Sequence, residues 1–224
     1  MPDPTASLTA GTSHQTDAAT LLEACGLECV RHDRTLFRDL SFTVSAGEIT
    51  QVEGANGSGK TSLLRLLCGL MLPAAGEVRW RGRDIQADRI NYFTELCYIG
   101  HHPGIKEELT PRENLRMAQS LGRSRDGIDI DTALAEVGLY GYEDLPTRTL
   151  SAGQRRRVAL ARMLILEAKL WILDEPFTAL DIHGRTLIEG MLEQHSQRGG
   201  AALLTTHQVL NLSHCTMSRV HLTP

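Results

Sequence analysis

The chain has 224 residues, enough for one α/β domain with a sizeable core. Its formal net charge of −4 argues against a nucleic-acid binder that relies on bulk positive charge, while leaving room for a local basic patch. Its five cysteines, an odd number without paired C-x-x-C spacing, read as small buried apolar residues in a reducing cytoplasm.

Met1 to Thr20 is rich in Ala, Thr, Ser and Asp. It lacks the basic and apolar regions of a secretory signal, and residues 1–20 read as a disordered tail. Leu21 to Arg31 reads as a first strand. Cys25 and Cys29 share it, a poor arrangement for a shared metal. Thr35 to Phe37 and Leu40 to Val44 read as further short strands, with a turn at Ser45-Ala46-Gly47. Glu48 to Glu53 is a strand that runs into Gly54-Ala55-Asn56-Gly57-Ser58-Gly59-Lys60-Thr61, which fits G-x-x-x-x-G-K-[ST] at every fixed position. Leu63, Leu64, Leu66, Leu67 and Leu70 follow at helical spacing, so the loop joins a strand to a helix. The glycines permit backbone angles that let N–H groups point inward at phosphate oxygens, at a helix start whose dipole also favours anions. Lys60 is expected to reach the β- and γ-phosphates of ATP, and the Thr61 hydroxyl to ligate Mg²⁺, with Ser62 the next hydroxyl in line. A plain glycine turn before a helix is the competing reading.

Gly69 and Pro73 stop that helix. Gly76 to Gly82 alternates like a half-exposed strand, with Trp80 as a packing residue. The opening segment therefore predicts a mostly antiparallel sheet attached to the nucleotide core. Leu96 to Gly100 is a second core strand. From Thr110 to about Leu166 the pattern is helical. Thr110 with Glu113 forms a capping box, Ser124 to Asp131 is a charged loop, and Thr132 to Val137 is a short helix ended by Gly138. These helices, about residues 104–166, form a lobe inserted between two core strands of a single domain spanning 21–224. Leu150-Ser151-Ala152-Gly153-Gln154 precedes another helix, placing Ser151 or Gly153 at a second anion-friendly N-terminus.

Leu170-Trp171-Ile172-Leu173-Asp174-Glu175-Pro176 is an apolar run that suits a strand buried on both faces. The two acids at its C-terminal edge stand where open α/β sheets bind ligands. Ala201 to Thr206 is another buried strand, ended by His207, and Arg219 to Leu222 is a final short one. No apolar run reaches the length of a membrane span; the richest, Leu63 to Leu72, is short and contains Arg65. The chain reads as soluble by itself, any membrane role requiring a partner.

A phosphate loop, an L-S-x-G-Q segment, an apolar run into Asp-Glu and a strand-ending His, in this order, resemble the ATP-binding cassette proteins over roughly Leu21 to Leu210. The resemblance implies an α/β fold: a phosphate-loop NTPase (RecA-like) core with an antiparallel β subdomain and an inserted helical subdomain. It implies that Asp174 holds Mg²⁺, that Glu175 polarises the attacking water, and that His207 contacts the γ-phosphate. It implies that Asp181 touches an opposite subunit, and that Ser151, Gly153 and Gln154 face the ATP held by a second copy of the cassette. Two molecules of ATP would then lie between two head-to-tail chains, with catalysis mostly by positioning and electrostatics.

Two positions depart from the family pattern. Arg31 or His32 stands where an aromatic usually stacks on adenine, a role that a guanidinium plane can also fill. His101 stands where a Gln usually senses Mg²⁺ and water. An imidazole can orient water but is a less natural Mg²⁺ ligand. The strings Tyr98 to Lys106, Gly141 to Pro146, Leu170 to Asp181 and Leu204 to Gln208 look like the cassette subunit of the haem-exporter system of cytochrome c biogenesis. That resemblance implies an ATPase at the cytoplasmic face of the inner membrane, partnered by integral membrane subunits that dock near Ile105 to Leu121. Nothing in the chain reads as a haem site, so haem is expected to be handled by the partners, and no nucleic acid is expected. A cassette of another transporter, a non-transport cassette, or an ATP sensor without turnover are the alternatives.

Overall fold

A computed structural model describes residues 19–222; the expected disordered tail, apart from its last two residues, lies outside them. Residues 20–84 are dominated by an antiparallel sheet. β1 (Thr20–Arg31) and β2 (Arg34–Ser45) form a hairpin closed by His32 and Asp33, both at positive φ. The sequence suggested two short strands at 35–44, but β2 is one strand. Asp39, at φ 50°, bends it without ending it, beside a shift in pairing register between Leu27 and Cys29. β4 (Ala75–Trp80) pairs with the other edge of β1, and the two-residue β5 (Arg83–Asp84) completes the order β2-β1-β4-β5.

The second sheet is parallel throughout, in the order β6-β7-β8-β3-β9. Its strands are β3 (Glu48–Glu53), β6 (Leu96–Ile99), β7 (Leu170–Asp174), β8 (Ala201–Thr205) and β9 (Thr216–His221). Every residue of β7 and β8 is buried, which explains the unbroken apolar runs of a two-sided parallel strand. Successive side chains serve opposite faces. Ile49, Trp171, Leu173, Ala202 and Leu204 join the core under the helices, while Val52, Leu170, Ile172, Ala201 and Leu203 join the core under the antiparallel sheet. Burying a side chain such as Leu203 or Ile172 contributes about 1.5–3 kcal/mol each, so both cores hold the strand ends in place.

α1 (Lys60–Leu67) follows β3, and α2 (Arg89–Thr94) precedes β6. Between β6 and β7 the chain is helical: α3 (Pro111–Leu121), α4 (Ile130–Glu136), a 3₁₀ turn (Thr147–Thr149) and α5 (Ala152–Ile165). The Thr110 capping box forms with both of its hydrogen bonds. α4 starts two residues before the expected Thr132, because the Asp129 carboxylate caps Thr132 N–H at 2.8 Å and draws Ile130 and Asp131 into the helix. α6 (Ile182–Gln197), capped by Asp181, links β7 to β8 as a long crossover on the helical face. α2, β5 and α6 have no counterpart among the elements expected from the sequence.

Candidate functional site

The C-terminal edges of β3, β7 and β8 meet the end of β1 around a cleft of about 570 Å³. Its walls include Arg31, Asn56, Gly57, Gly59, Lys60, Thr61, Ser62, His101, Asp174, Glu175 and His207. Eleven of the residues singled out from sequence thus converge from five separate stretches of chain. An adjoining hollow of about 370 Å³ shares Lys60 and His207 and is bounded by Gly54.

The loop between β3 and α1 is held by close contacts that only glycine allows. A Cβ at Gly54, whose φ is 152°, would lie 2.6 Å from Ser58 Oγ and 2.9 Å from the Leu222 carbonyl. Gly59 caps α1 at φ 102° with Leu36 and Phe37 against it, so a side chain there meets both strain and crowding. Ser58 N–H donates to the Ala55 carbonyl at 3.1 Å, tightening the turn. Lys60 Nζ donates to the carbonyls of Gly54 at 2.8 Å and Ala55 at 3.2 Å, which holds the ammonium over the mouth of the loop. The first N–H groups of α1 have no intrahelical acceptor, so loop, helix end and ammonium form one electropositive seat for phosphate.

Across the cleft, Asp174 is only 2% exposed. Its Oδ1 accepts from the Thr205 hydroxyl at 2.8 Å, and its Oδ2 is buried without a hydrogen-bond partner. A buried carboxylate oxygen with free lone pairs, facing a cleft that also holds the Thr61 hydroxyl, is a hard oxygen donor set suited to a small divalent cation. The same Thr205 oxygen accepts the Glu175 N–H at 2.9 Å. Glu175 takes φ 50°, a conformation rare outside glycine, and its Oε1 lies 3.5 Å from His207 Nε2. The acids are therefore set differently: Asp174 is sunk at a strand end, and Glu175 is turned out beside the histidine.

Arg156, on α5, is 3% exposed and donates to four carbonyls: Gly100 at 2.7 Å, Glu175 at 2.8 Å, Asp174 at 3.0 Å and Pro176 at 3.2 Å. Burial lowers its guanidinium from the ordinary value, and Asp174 and Glu175 pull the other way. Thr205 and Arg156 were not singled out from sequence. The available signals were a Thr-Thr pair closing an otherwise apolar strand, and three consecutive arginines at the start of a helix, where the dipole disfavours cations unless each has its own acceptors.

Ser151, Gly153, Gln154 and Asp181 do not line the cleft. Ser151 caps α5 in a reciprocal box with Gln154, the two bonds being 3.2 and 2.8 Å. A Cβ on Gly153 would lie 2.7 Å from the Ala179 carbonyl, so this turn lies directly on the loop that follows Glu175. Arg157 ties the same region together, donating to Asp181 Oδ1 at 2.7 Å and to the Val137 carbonyl at 2.8 Å. The Gly184 N–H, followed by Arg157 and His183, holds the Asp181 carboxyl below the usual carboxylate range. These residues form a second cluster, exposed at Ser151 and Asp181.

Comparison with known proteins gives the family. The family profile described as ABC transporter matches residues 37–178. The chain is similar to the cytochrome c biogenesis ATP-binding export protein CcmA of Methylococcus capsulatus, at 59% identity over 84% of this chain and 91% of that protein. It is similar to the protein of the same name from Escherichia coli K12, at 50% identity over 91% of this chain and 97% of that one. Among solved structures, an ATP-binding subunit of an ABC transporter superposes with a TM-score of 0.77 at 30% identity, covering 84% of this chain and 80% of the other.

Proposed function

This chain belongs to the ABC transporter family, and on that premise we propose that it is the ATP-hydrolysing subunit of the haem-exporter system of cytochrome c biogenesis. The carrying observation is the cleft that gathers the phosphate loop, Asp174, Glu175 and His207 at the ends of adjacent strands. Family membership makes the chain an ATP-binding subunit. The relatives named as cytochrome c biogenesis export proteins support the narrower role.

In this reading the loop Gly54 to Thr61 holds the triphosphate, with Lys60 moving its N–H donors from the Gly54 and Ala55 carbonyls to phosphate oxygens. Arg31, on the cleft wall, offers its guanidinium plane to stack on adenine. Thr61 and Asp174 would hold Mg²⁺, which would supply charge neutralisation on the transferred phosphoryl group. Glu175 accepts a proton from the attacking water, His207 orients that water and the γ-phosphate oxygens, and His101 takes the neighbouring position. The barrier falls because these groups are already aimed, not because a covalent intermediate forms.

Ser151, Gly153, Gln154 and Asp181 act on a second copy of the chain. The Ser151 oxygen already accepts from Gln154, and its own O–H remains a donor toward the ATP of the opposite cassette. ATP then joins two facing surfaces that separate after hydrolysis. No helix among the described residues is long and apolar enough to cross a membrane. The subunit is read as peripheral, at the cytoplasmic face of the inner membrane, docked on integral membrane subunits that handle haem.

Two experiments test this reading. Deletion of the gene, followed by haem staining of c-type cytochromes, should abolish the stain, and complementation with Glu175→Gln should fail to restore it. Normal cytochrome c in the deletion strain overturns the haem-export role. Full hydrolysis by Glu175→Gln overturns the assignment of the site.

A further inference from the structure

Glu175 adopts its left-handed backbone because both of its peptide groups are held. Its N–H donates to Thr205 Oγ1 at 2.9 Å, and its carbonyl accepts from Arg156 Nη2 at 2.8 Å. The same Nη2 holds the Asp174 carbonyl at 3.0 Å, and Nε holds that of Pro176 at 3.2 Å, so one side chain fixes three successive carbonyls. The remaining arm of the fork, Nη1, reaches the Gly100 carbonyl at 2.7 Å, immediately before His101. A planar guanidinium can serve acceptors along two edges at once, whereas an ammonium cannot span them.

We propose that Arg156 is a positioning residue that fixes Glu175 and His101 relative to one another and couples both to the Ser151 turn. This rests on Glu175 being the group that acts on water. Arg156 sits one turn inside α5, whose first residues follow the Ser151 cap. A displacement of that cap when a second copy closes over it therefore moves the guanidinium, and with it the Glu175 backbone and the Gly100–His101 link. The neighbouring arginines have other acceptors: Arg155 donates to the Leu150 carbonyl, and Arg157 to Asp181 and Val137. The coupling is thus specific to Arg156 and not a general property of the arginine run.

The test uses the full chain in its membrane complex, with Arg156→Lys and Arg156→Gln. ATP affinity is measured by equilibrium dialysis, kcat and KM by phosphate release, and single-turnover rates are followed in wild-type and Glu175→Gln backgrounds. A catalytic group misplaced by a fraction of an ångström to 1 Å loses up to about 100-fold in rate. The expected result is ATP affinity and KM within about twofold of wild type, with kcat down about tenfold in Arg156→Lys and about 100-fold in Arg156→Gln. In the Glu175→Gln background the Lys substitution should lower the residual rate by less than about twofold, because the carboxylate it positions is already gone and only the Gly100–His101 link remains to be disturbed.

Wild-type kcat in both Arg156 variants, with Glu175→Gln inactive, overturns the coupling while leaving the catalytic reading intact. Rate losses that multiply in the double variant, or loss of ATP binding or folding in both single variants, make Arg156 a structural brace and also overturn the proposal. Wild-type hydrolysis by Glu175→Gln removes instead the reading on which it rests.

Discussion

Replacing Thr205 by Val keeps the shape of a fully buried strand residue and deletes one oxygen. That hydroxyl donates its O–H to Asp174 Oδ1 at 2.8 Å, and its oxygen accepts from Glu175 N–H at 2.9 Å. The bond to the carboxylate contributes about 1.5–3 kcal/mol, and the part-buried Glu175 N–H left unpaired costs up to about 3 kcal/mol. Because one hydroxyl serves both, the expected loss is about 3–5 kcal/mol, a large share of the about 5–15 kcal/mol that holds a typical domain folded. Thr50→Val is the internal control. Thr50 is equally buried in a parallel strand, but its hydroxyl accepts only from Ser218 Oγ, at 3.0 Å, and its loss costs about 1 kcal/mol. Urea unfolding followed by tryptophan fluorescence, from the buried Trp80 and from Trp171 in the same strand as Asp174, reads both variants on one scale. If Thr205→Val unfolds no earlier than Thr50→Val, the hydroxyl does not join the two acids and the account of how they are set apart fails.

Other outcomes follow from the same geometry. Lys60→Ala removes charged hydrogen bonds of about 1.5–3 kcal/mol to the triphosphate and should weaken ATP binding about 10–100-fold in equilibrium dialysis. Glu175→Gln should bind ATP as tightly as wild type yet stall as a paired species, visible as an ATP-dependent dimer by light scattering. Gly153→Val places its Cβ 2.7 Å from the Ala179 carbonyl, so it should leave ATP binding by a single chain intact and abolish that dimer. His195, stacked on Trp171 at 3.8 Å, has its pKa pushed down to about 4 by burial. Its folded value lies below its unfolded value near 6.5, so its contribution is complete above pH 6.5 and is lost as pH falls toward 4. The unfolding free energy should fall by about 3 kcal/mol over that window, and His195→Phe should flatten the fall in urea titrations at several pH values.

Much of the site was legible in the sequence because its chemistry is local. The phosphate loop, the acids after an apolar strand and the strand-ending histidine each announce themselves within a few residues, and the fold then brings Arg31, Lys60, His101, Asp174, Glu175 and His207 to one cleft. The parallel strands were legible from unbroken apolar runs, as at Leu170 to Leu173 and Ala201 to Leu204. What escaped is long-range. Thr205 and Arg156 act on backbone groups 30 and 18–56 positions away, and no spacing rule reports such a bond. α6 was passed over although Ile188, Met191, Leu192 and His195 bury one face of it; Gly184 and Gly190 and its many polar residues dilute the periodicity. Asp39 interrupts the strand pattern of the sequence, whereas a bulge absorbs it in the fold.

The phosphate-binding turn depends on residues made long after its own. β3, which delivers Gly54, is flanked by β8 on one side and by β9 on the other, and the pairing of Thr50 with Ser218 joins positions 168 residues apart. The Leu222 N–H closes on the Glu53 carbonyl, and the Leu222 carbonyl lies against Gly54. A nascent chain still on the ribosome, with β9 inside the exit tunnel, has the loop's residues but not the wall that shapes them. Nucleotide capture is thereby deferred until β9 has emerged and paired with β3, and a chain made only as far as the loop has no finished seat with which to sequester ATP.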